Sequence, residues 1–240
     1  MNKMFPLEIN ATVGPRQMTI FPVVLRDGNE LILIDAGLPG QFELFQAAAK
    51  SQGIELDSLT KIVITHHDFD HIGSLAAMKK AFKNAIVYSS AIEADYISGQ
   101  NESIRLGLLK KNYNNLSQEQ KAFADNLQKM NENLERITVD VLLTRDSLLP
   151  GCTKTKVIQT PGHLPGHISI YFEETKTLIA GDALAVMDKK LFINPQHSIN
   201  MELAKKSVSK LLDYDITNVV CYHGGLFEGD CRKAFQDISQ

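Results

Sequence analysis

Lys61-Ile62-Val63-Ile64-Thr65-His66-His67-Asp68-Phe69-Asp70-His71 runs from a short apolar, β-branched segment into five imidazole and carboxylate side chains within six residues. The apolar part, Lys61 to Ile64, reads as a buried strand, and a helix is expected over about Ile72 to Phe82. The polar cluster therefore stands at a strand end. Along an extended chain successive side chains alternate, so His66, Asp68 and Asp70 share one face, His71 joins them at the turn into the helix, and His67 points elsewhere. Imidazole and carboxylate together suit zinc, iron or manganese, and an incomplete ligand set leaves room for water and substrate.

One loop cannot surround two ions, so further ligands are sought at other strand ends. His163 lies in Thr160-Pro161-Gly162-His163-Leu164-Pro165-Gly166-His167, where prolines and glycines enforce a tight loop that fixes the imidazole. Asp182 follows the apolar Ile179-Ala180-Gly181, where a buried carboxylate is costly unless a cation offsets it. His223 follows Val219-Val220-Cys221-Tyr222 and precedes Gly224-Gly225.

Before the cluster, Thr19 to Leu25 and Leu31 to Ile34 flank Asp27-Gly28-Asn29 and read as a β-hairpin. Phe42, Phe45 and Ala49 mark one face of a helix after Pro39-Gly40. After the cluster, strands are expected at Ala85 to Tyr88, Val139 to Leu143, Lys154 to Gln159, Ile168 to Phe172, Thr177 to Ala180 and Val219 to Tyr222, with a helix over about Met201 to Leu212. Ser98 to Glu135 reads as helical and outside both strand sets: Ser117 and Gln120 make a capping-box pattern, and Phe123, Leu127, Met130, Leu134 and Ile137 form one apolar stripe. Two readings fit it, a packed surface helix or a cover over the site.

The 240 residues, with 44% hydrophobic and 22% charged side chains, suit one domain over 1–240 with a helical insertion at about 98–137. A net charge of −3 with only scattered basic pairs speaks against nucleic acid as a partner. Met1 to Pro22 has no secretory-signal pattern and no later run could span a bilayer, so a cytoplasmic, membrane-free protein is expected. The three cysteines, Cys152, Cys221 and Cys231, form neither a disulfide framework nor a thiolate zinc pair.

The order His-x-Asp-x-Asp-His, Pro-Gly-His, Gly-Asp and a late His before Gly resembles the metallo-β-lactamase superfamily over essentially the whole chain. Leu31-Ile32-Leu33-Ile34-Asp35-Ala36-Gly37 and Gly166-His167-Ile168-Ser169 fit the same pattern. The resemblance implies an α/β (α+β) fold, a four-layer αββα sandwich with the site at one edge. It further implies that His66, Asp68 and His163 hold one metal, Asp70, His71 and His223 a second, and that Asp182 bridges them. Zinc is the first expectation for both divalent ions. The family usually has histidine where this chain has Asp68, which brings manganese and iron forward as alternatives. His167 matches a family position that supplies no ligand, so a buried, hydrogen-bonded role is expected. Asp35 either braces the metal loop or ends a strand in a plain turn, and His197 is read as a surface residue.

Two metals sharing a bridging hydroxide attack carbonyls, so the implied function is hydrolysis of an ester, lactone or thioester of a small molecule, with Asp70 also placed to shuttle a proton. A glyoxalase II is expected to continue into a helical tail beyond the last ligand, and many quorum-quenching lactonases carry tyrosine where this chain has Ala185. The competing classes are a diiron-type redox or oxygen-handling protein and a non-catalytic metal-binding protein.

Overall fold

Asp27 and Glu30 face one another across Gly28-Asn29, closing the hairpin on which the first sheet is built. The computed structural model describes residues 3–13, 16–144 and 147–240. The first part of the chain comprises β1 (Met4–Pro6), β2 (Ile9–Val13), β3 (Arg16–Ile20), β4 (Val23–Asp27), β5 (Glu30–Ile34), α1 (Phe42–Ser51), β6 (Lys61–Val63), α2 (Phe69–Ile72) and α3 (Leu75–Ala81). It continues through β7 (Ile86–Ser90), α4 (Ala91–Ile97), α5 (Ile104–Lys111), α6 (Gln118–Asn133) and β8 (Val141–Leu143). The second part comprises β9 (Thr155–Gln159), β10 (Ile168–Phe172), β11 (Thr177–Gly181), β12 (Ala185–Met187), β13 (Lys190–Phe192), α7 (Met201–Lys210), β14 (Asn218–Cys221), β15 (Gly225–Phe227) and α8 (Cys231–Ser239).

The strands form a six-stranded sheet ordered β1-β4-β5-β6-β7-β8 and a five-stranded sheet ordered β15-β14-β11-β10-β9, besides the hairpins β2-β3 and β12-β13. Strand alternation explains how these sheets become inner layers. On β5, Leu31 and Leu33 join Phe45 and Ala49 of α1 and Met78 of α3 in one apolar cluster, while Ile32 and Ile34 join Val157, Ile170 and Phe172 of the other sheet. A third cluster packs Leu178 and Val219 against Val208 of α7 and Phe235 of α8. Helix, sheet, sheet and helix thus bury three cores between four layers. Strands β5 to β8 run parallel, as do β11 and β14, and parallel strands collect their exit loops on one edge. Among the described residues, no helix is long and apolar enough to cross a membrane.

Local readings differ from the structure where the backbone takes another partner. The segment expected as a strand over Thr19 to Leu25 breaks at Phe21-Pro22, because Pro22 has no amide for the ladder. The helix expected from Ile72 is divided at Gly73-Ser74, whose amides donate to Gly37 O and Ala36 O of the loop after β5. The 98–135 stretch holds two helices, α5 and α6, and the capping box of Ser117 and Gln120 starts the second. The expected single stripe does not form: Phe123 is half exposed, Leu127 is buried, and Leu134 and Ile137 lie beyond the end of α6.

Asp27 also ties the two sheets together. Its buried carboxylate accepts from the amides of Lys154 (2.8 Å) and Thr153 (3.1 Å) and the hydroxyls of Thr155 (2.9 Å) and Thr153 (3.2 Å), just before and within β9. Burial alone would raise its pKa, yet these hydrogen bonds outweigh that and hold the carboxyl below its ordinary value. A lowered folded-state pKa means the stabilisation is present above the unfolded value, near pH 4, and is lost as pH falls through the folded value. Asp27→Asn is therefore expected to cost about 2 kcal/mol at pH 7. In urea titrations, the gap between variant and wild type should close as the pH drops below about 4; a gap constant across that range would refute the assignment.

Candidate metal centre

Five loop segments meet at one edge of the sheets. The first follows β5, where Asp35 adopts φ +65°, a left-handed conformation that aspartate reaches at modest cost. That turn brings its carboxylate beneath the loop after β6. There it accepts from Thr65 N (2.8 Å) and Thr65 Oγ1 (2.9 Å) and from His71 Nδ1 (2.9 Å). A carboxylate on the Nδ1 side fixes the ring and turns Nε2 toward the site, the arrangement that orients metal-binding histidines.

The loop after β6 supplies four candidates, by a different route from strand alternation. Asp68 is extended, but its carbonyl accepts from His71 N, so Asp70 and His71 both project from the short helix α2 rather than from an extended segment. The third segment is the loop between β9 and β10, which brings in His163. The fourth arises where the β11–β14 register shifts between Ile179 and Gly181. Gly181 takes φ +55°, and a Cβ there would lie 2.8 Å from His167 Nε2. This irregularity re-aims the chain so that Asp182 faces the metal loop. His167 secures it by accepting from Asp182 N (3.0 Å) at Nε2 while Nδ1 meets Thr160 Oγ1 (2.8 Å). Burial pushes the His167 pKa down to about 3, in keeping with a neutral acceptor. His223, two residues after the end of β14, completes the edge and is the most exposed of the seven candidates.

The seven side chains form three groups whose facing atoms lie within 4.8 Å of one another: His66, Asp68 and His163; His66, His71 and Asp182; Asp70, His71 and His223. Asp182 stands among them, with Oδ1 3.4 Å from His71 Nε2 and Oδ2 3.4 Å from His223 Nε2 and 3.6 Å from His163 Nε2. Asp70 Oδ2 is 3.3 Å from His223 Nε2. Among the described residues, His66 Nε2, His71 Nε2 and Asp182 Oδ1 are buried without a hydrogen-bond partner. Orphaning such atoms costs about 1–3 kcal/mol each, and a cation among them would remove that cost, so the donor set fits a metal.

The charge balance agrees. Burial opposes charge on His71, but Asp35, then Asp182 and Asp70, outweigh it and hold its pKa well above the usual value. Burial likewise opposes charge on His223, and Asp182 raises it to about 10. Burial would raise Asp182, yet His223 and His71 hold it well below the carboxylate range. The carboxylates thus demand positive charge at this edge.

His67 turns away, as alternation predicts. Its Nδ1 forms a short hydrogen bond with Glu93, its ring stacks on Tyr96 at 4.3 Å, and its Nε2 accepts from Ile104 N (3.4 Å). Sequence reading missed Glu93, which is wholly buried and also accepts from His67 N and Gly166 N. Its spacing from Ser90 resembles a capping box, which hides the side chain's other use. Tyr222, whose hydroxyl donates to Asp70 O at 2.6 Å, and Arg105 were missed too. His197 is exposed, and its carbonyl accepts from Arg105 Nη2.

Known proteins resemble the chain in sequence and in fold. It is 28% identical over 167 residues to Probable metallo-hydrolase YflN of Bacillus subtilis (strain 168), covering 68% of this chain and 58% of that protein. It is 28% identical over 240 residues to YobT of the same organism, covering 93% and 94%. Against the hydroxyacylglutathione hydrolase of Synechococcus sp. it is 27% identical over 172 residues, 69% of this chain and 49% of the other, so the chain spans about half that enzyme's length. The metallo-beta-lactamase family protein TTHA1429 of Thermus thermophilus shares the fold with a TM-score of 0.74 at 19% identity, over 100% of this chain and 79% of that one. With residues 18–223 matching the sequence profile of the metallo-beta-lactamase superfamily, the chain belongs to that superfamily.

Proposed function

We propose that the chain is a metal-dependent hydrolase that opens an ester, lactone or thioester carbonyl of a small molecule. The observation that carries this reading is the set of buried, mutually facing and unpartnered atoms of His66, His71 and Asp182. His66, Asp68 and His163 would hold one divalent ion and Asp70, His71 and His223 another, with Asp182 between them; zinc is the first candidate, manganese or iron the alternatives. Such ions supply, when bound, an acidified water as nucleophile and a Lewis acid for the carbonyl.

The remaining steps fall to the chain's own side chains. Asp35, Thr65 and His167 hold the donor atoms in register without facing the substrate. Asp70 lies beside the partly exposed His223, where its carboxylate can take a proton from the attacking water and return it to the leaving group. The relatives named metallo-hydrolase and hydroxyacylglutathione hydrolase support hydrolysis as the class of chemistry.

Full-length protein purified without added metal should contain a divalent ion by elemental analysis. It should hydrolyse at least one of a panel of neutral esters, lactones and thioesters, lose that activity to a chelator and regain it with zinc or manganese. A chain that holds metal and hydrolyses none of the three classes, or that binds no metal, would refute the proposal.

A further inference from the structure

The two ligand groups differ in one respect that the ligand pattern does not reveal. Around Asp70, His71, Asp182 and His223, the facing atoms meet one another. In the other group Asp68 Oδ2 likewise lies 3.2 Å from His163 Nε2 and 3.5 Å from His66 Nε2, but there a guanidinium also stands among the facing atoms. Arg105, the second residue of α5, donates from Nε to Asp68 Oδ2 at 2.6 Å and from Nη2 to His163 Nε2 at 2.8 Å and His197 O at 2.8 Å. It engages two of the three side chains of the His66, Asp68, His163 group.

A neutral imidazole nitrogen has one lone pair, so His163 Nε2 cannot accept from Arg105 and ligate an ion at once. Asp68 has more acceptor capacity, but its Oδ2 already accepts from Arg105 Nε at 2.6 Å and its charge is matched by that guanidinium. Arginine also differs from the imidazoles of the second group. A guanidinium keeps its charge and has no lone pair to offer an ion, so it has to move away as a whole.

The guanidinium is held in place from behind. Ile104 N, one residue earlier, donates to His67 Nε2, and His67 Nδ1 is locked to the wholly buried Glu93. Glu93 also accepts from His67 N (3.0 Å) and from Gly166 N (2.9 Å), in the loop that carries His163. The start of α5 is thereby fastened to both loops that build the first group.

We propose that Arg105 is a built-in competitor for the first metal position: the chain holds one divalent ion tightly, among Asp70, His71, Asp182 and His223, and a second only by displacing the guanidinium. This inference rests on the metallohydrolase reading above. With Arg105 in place, a fixed cation stands at Asp68 and His163, where a second ion would otherwise be held.

Zinc titration of the full chain by calorimetry, with a competing chelator, tests the proposal independently of activity. Wild type is expected to bind in two resolved steps, the second weaker by on the order of 100-fold, the worth of losing two charge-assisted hydrogen bonds in a buried site. Arg105→Met keeps most of the stem volume and should bring the steps within about 10-fold of one another. Arg105→Lys, whose ammonium cannot span Asp68 and His163 as a planar fork, should narrow the gap as well, and it decides the matter if the methionine variant is recovered unfolded. A single unresolved two-zinc step in wild type, or a gap unchanged in the folded variants, would overturn the proposal and leave the metallohydrolase reading intact. Absence of any tight zinc step in wild type would instead overturn that reading.

Discussion

Asp182→Ala is expected to remove metal and hydrolysis together, lowering turnover by on the order of 1000-fold. Its two oxygens face three imidazoles that belong to different loops, His71, His163 and His223, at 3.4–3.6 Å. Removing them takes away the one carboxylate that faces all three imidazoles, leaving Asp70 beside His71 and His223 and Asp68 beside His163 as separate pairs. His67→Ala is the contrasting variant. His67 is adjacent in sequence to His66 and equally buried, but its ring serves Glu93, Tyr96 and α5. It should keep the tightly held metal and lose about 3 kcal/mol of stability, because Glu93 is left buried without its imidazole. Elemental analysis and denaturant unfolding on the same preparations separate the two effects. A full metal complement and near-normal turnover in Asp182→Ala would show that the carboxylate is not part of the centre.

The seven candidates could be named from local sequence because they cluster after the apolar Lys61–Val63, stand in a loop rich in proline and glycine, or lie within two residues of the ends of β11 and β14. Much of the architecture was legible for the same reason: the hairpin at Gly28-Asn29, α1 and β10 stand where periodicity and turn chemistry put them. Two kinds of feature were not. The first is a short helical turn inside a polar cluster: Asp70 and His71 project from α2, and alternation along an extended chain describes only His66 to Asp68. The second is partnership over long separation. Arg105 meets Asp68 and His163 from 37 and 58 residues away, and Glu93 meets His67 from 26 and Gly166 from 73. Neither residue has a neighbour in sequence that marks it, since a charged side chain on a polar helix usually faces water. The fold makes them inner residues by laying α4 and α5 against the metal loop.

That dependence on long-range packing has a sharp test in the loop that carries His163. Gly162 adopts φ +141°, and a Cβ there would lie 2.4 Å from both Cα and N of Ala204 in α7. These are backbone atoms, so no rotamer change can make room. The same contact is pinned on both sides: Asn200 N donates to Gly162 O at 2.9 Å, and Ser207 Oγ donates to Pro161 O at 2.7 Å. Gly162→Ala therefore combines an unfavourable backbone conformation with displacement of a helix that is itself packed on Leu178 and Val219. The expected cost is about 4 kcal/mol, which for a chain of this size corresponds to a fall in melting temperature of about 10 °C. Because α7 and the loop must separate, the surviving folded protein should also misplace His163 and lose affinity for metal. Adding Ala204→Gly should not restore either property, since it removes a side chain while the nearest atoms belong to the backbone. Rescue of stability by that second substitution, followed by thermal unfolding, would show that the close contact is made by the alanine methyl and that the backbone can adjust. A wild-type melting temperature in Gly162→Ala would show that the tight turn is not what fixes the imidazole.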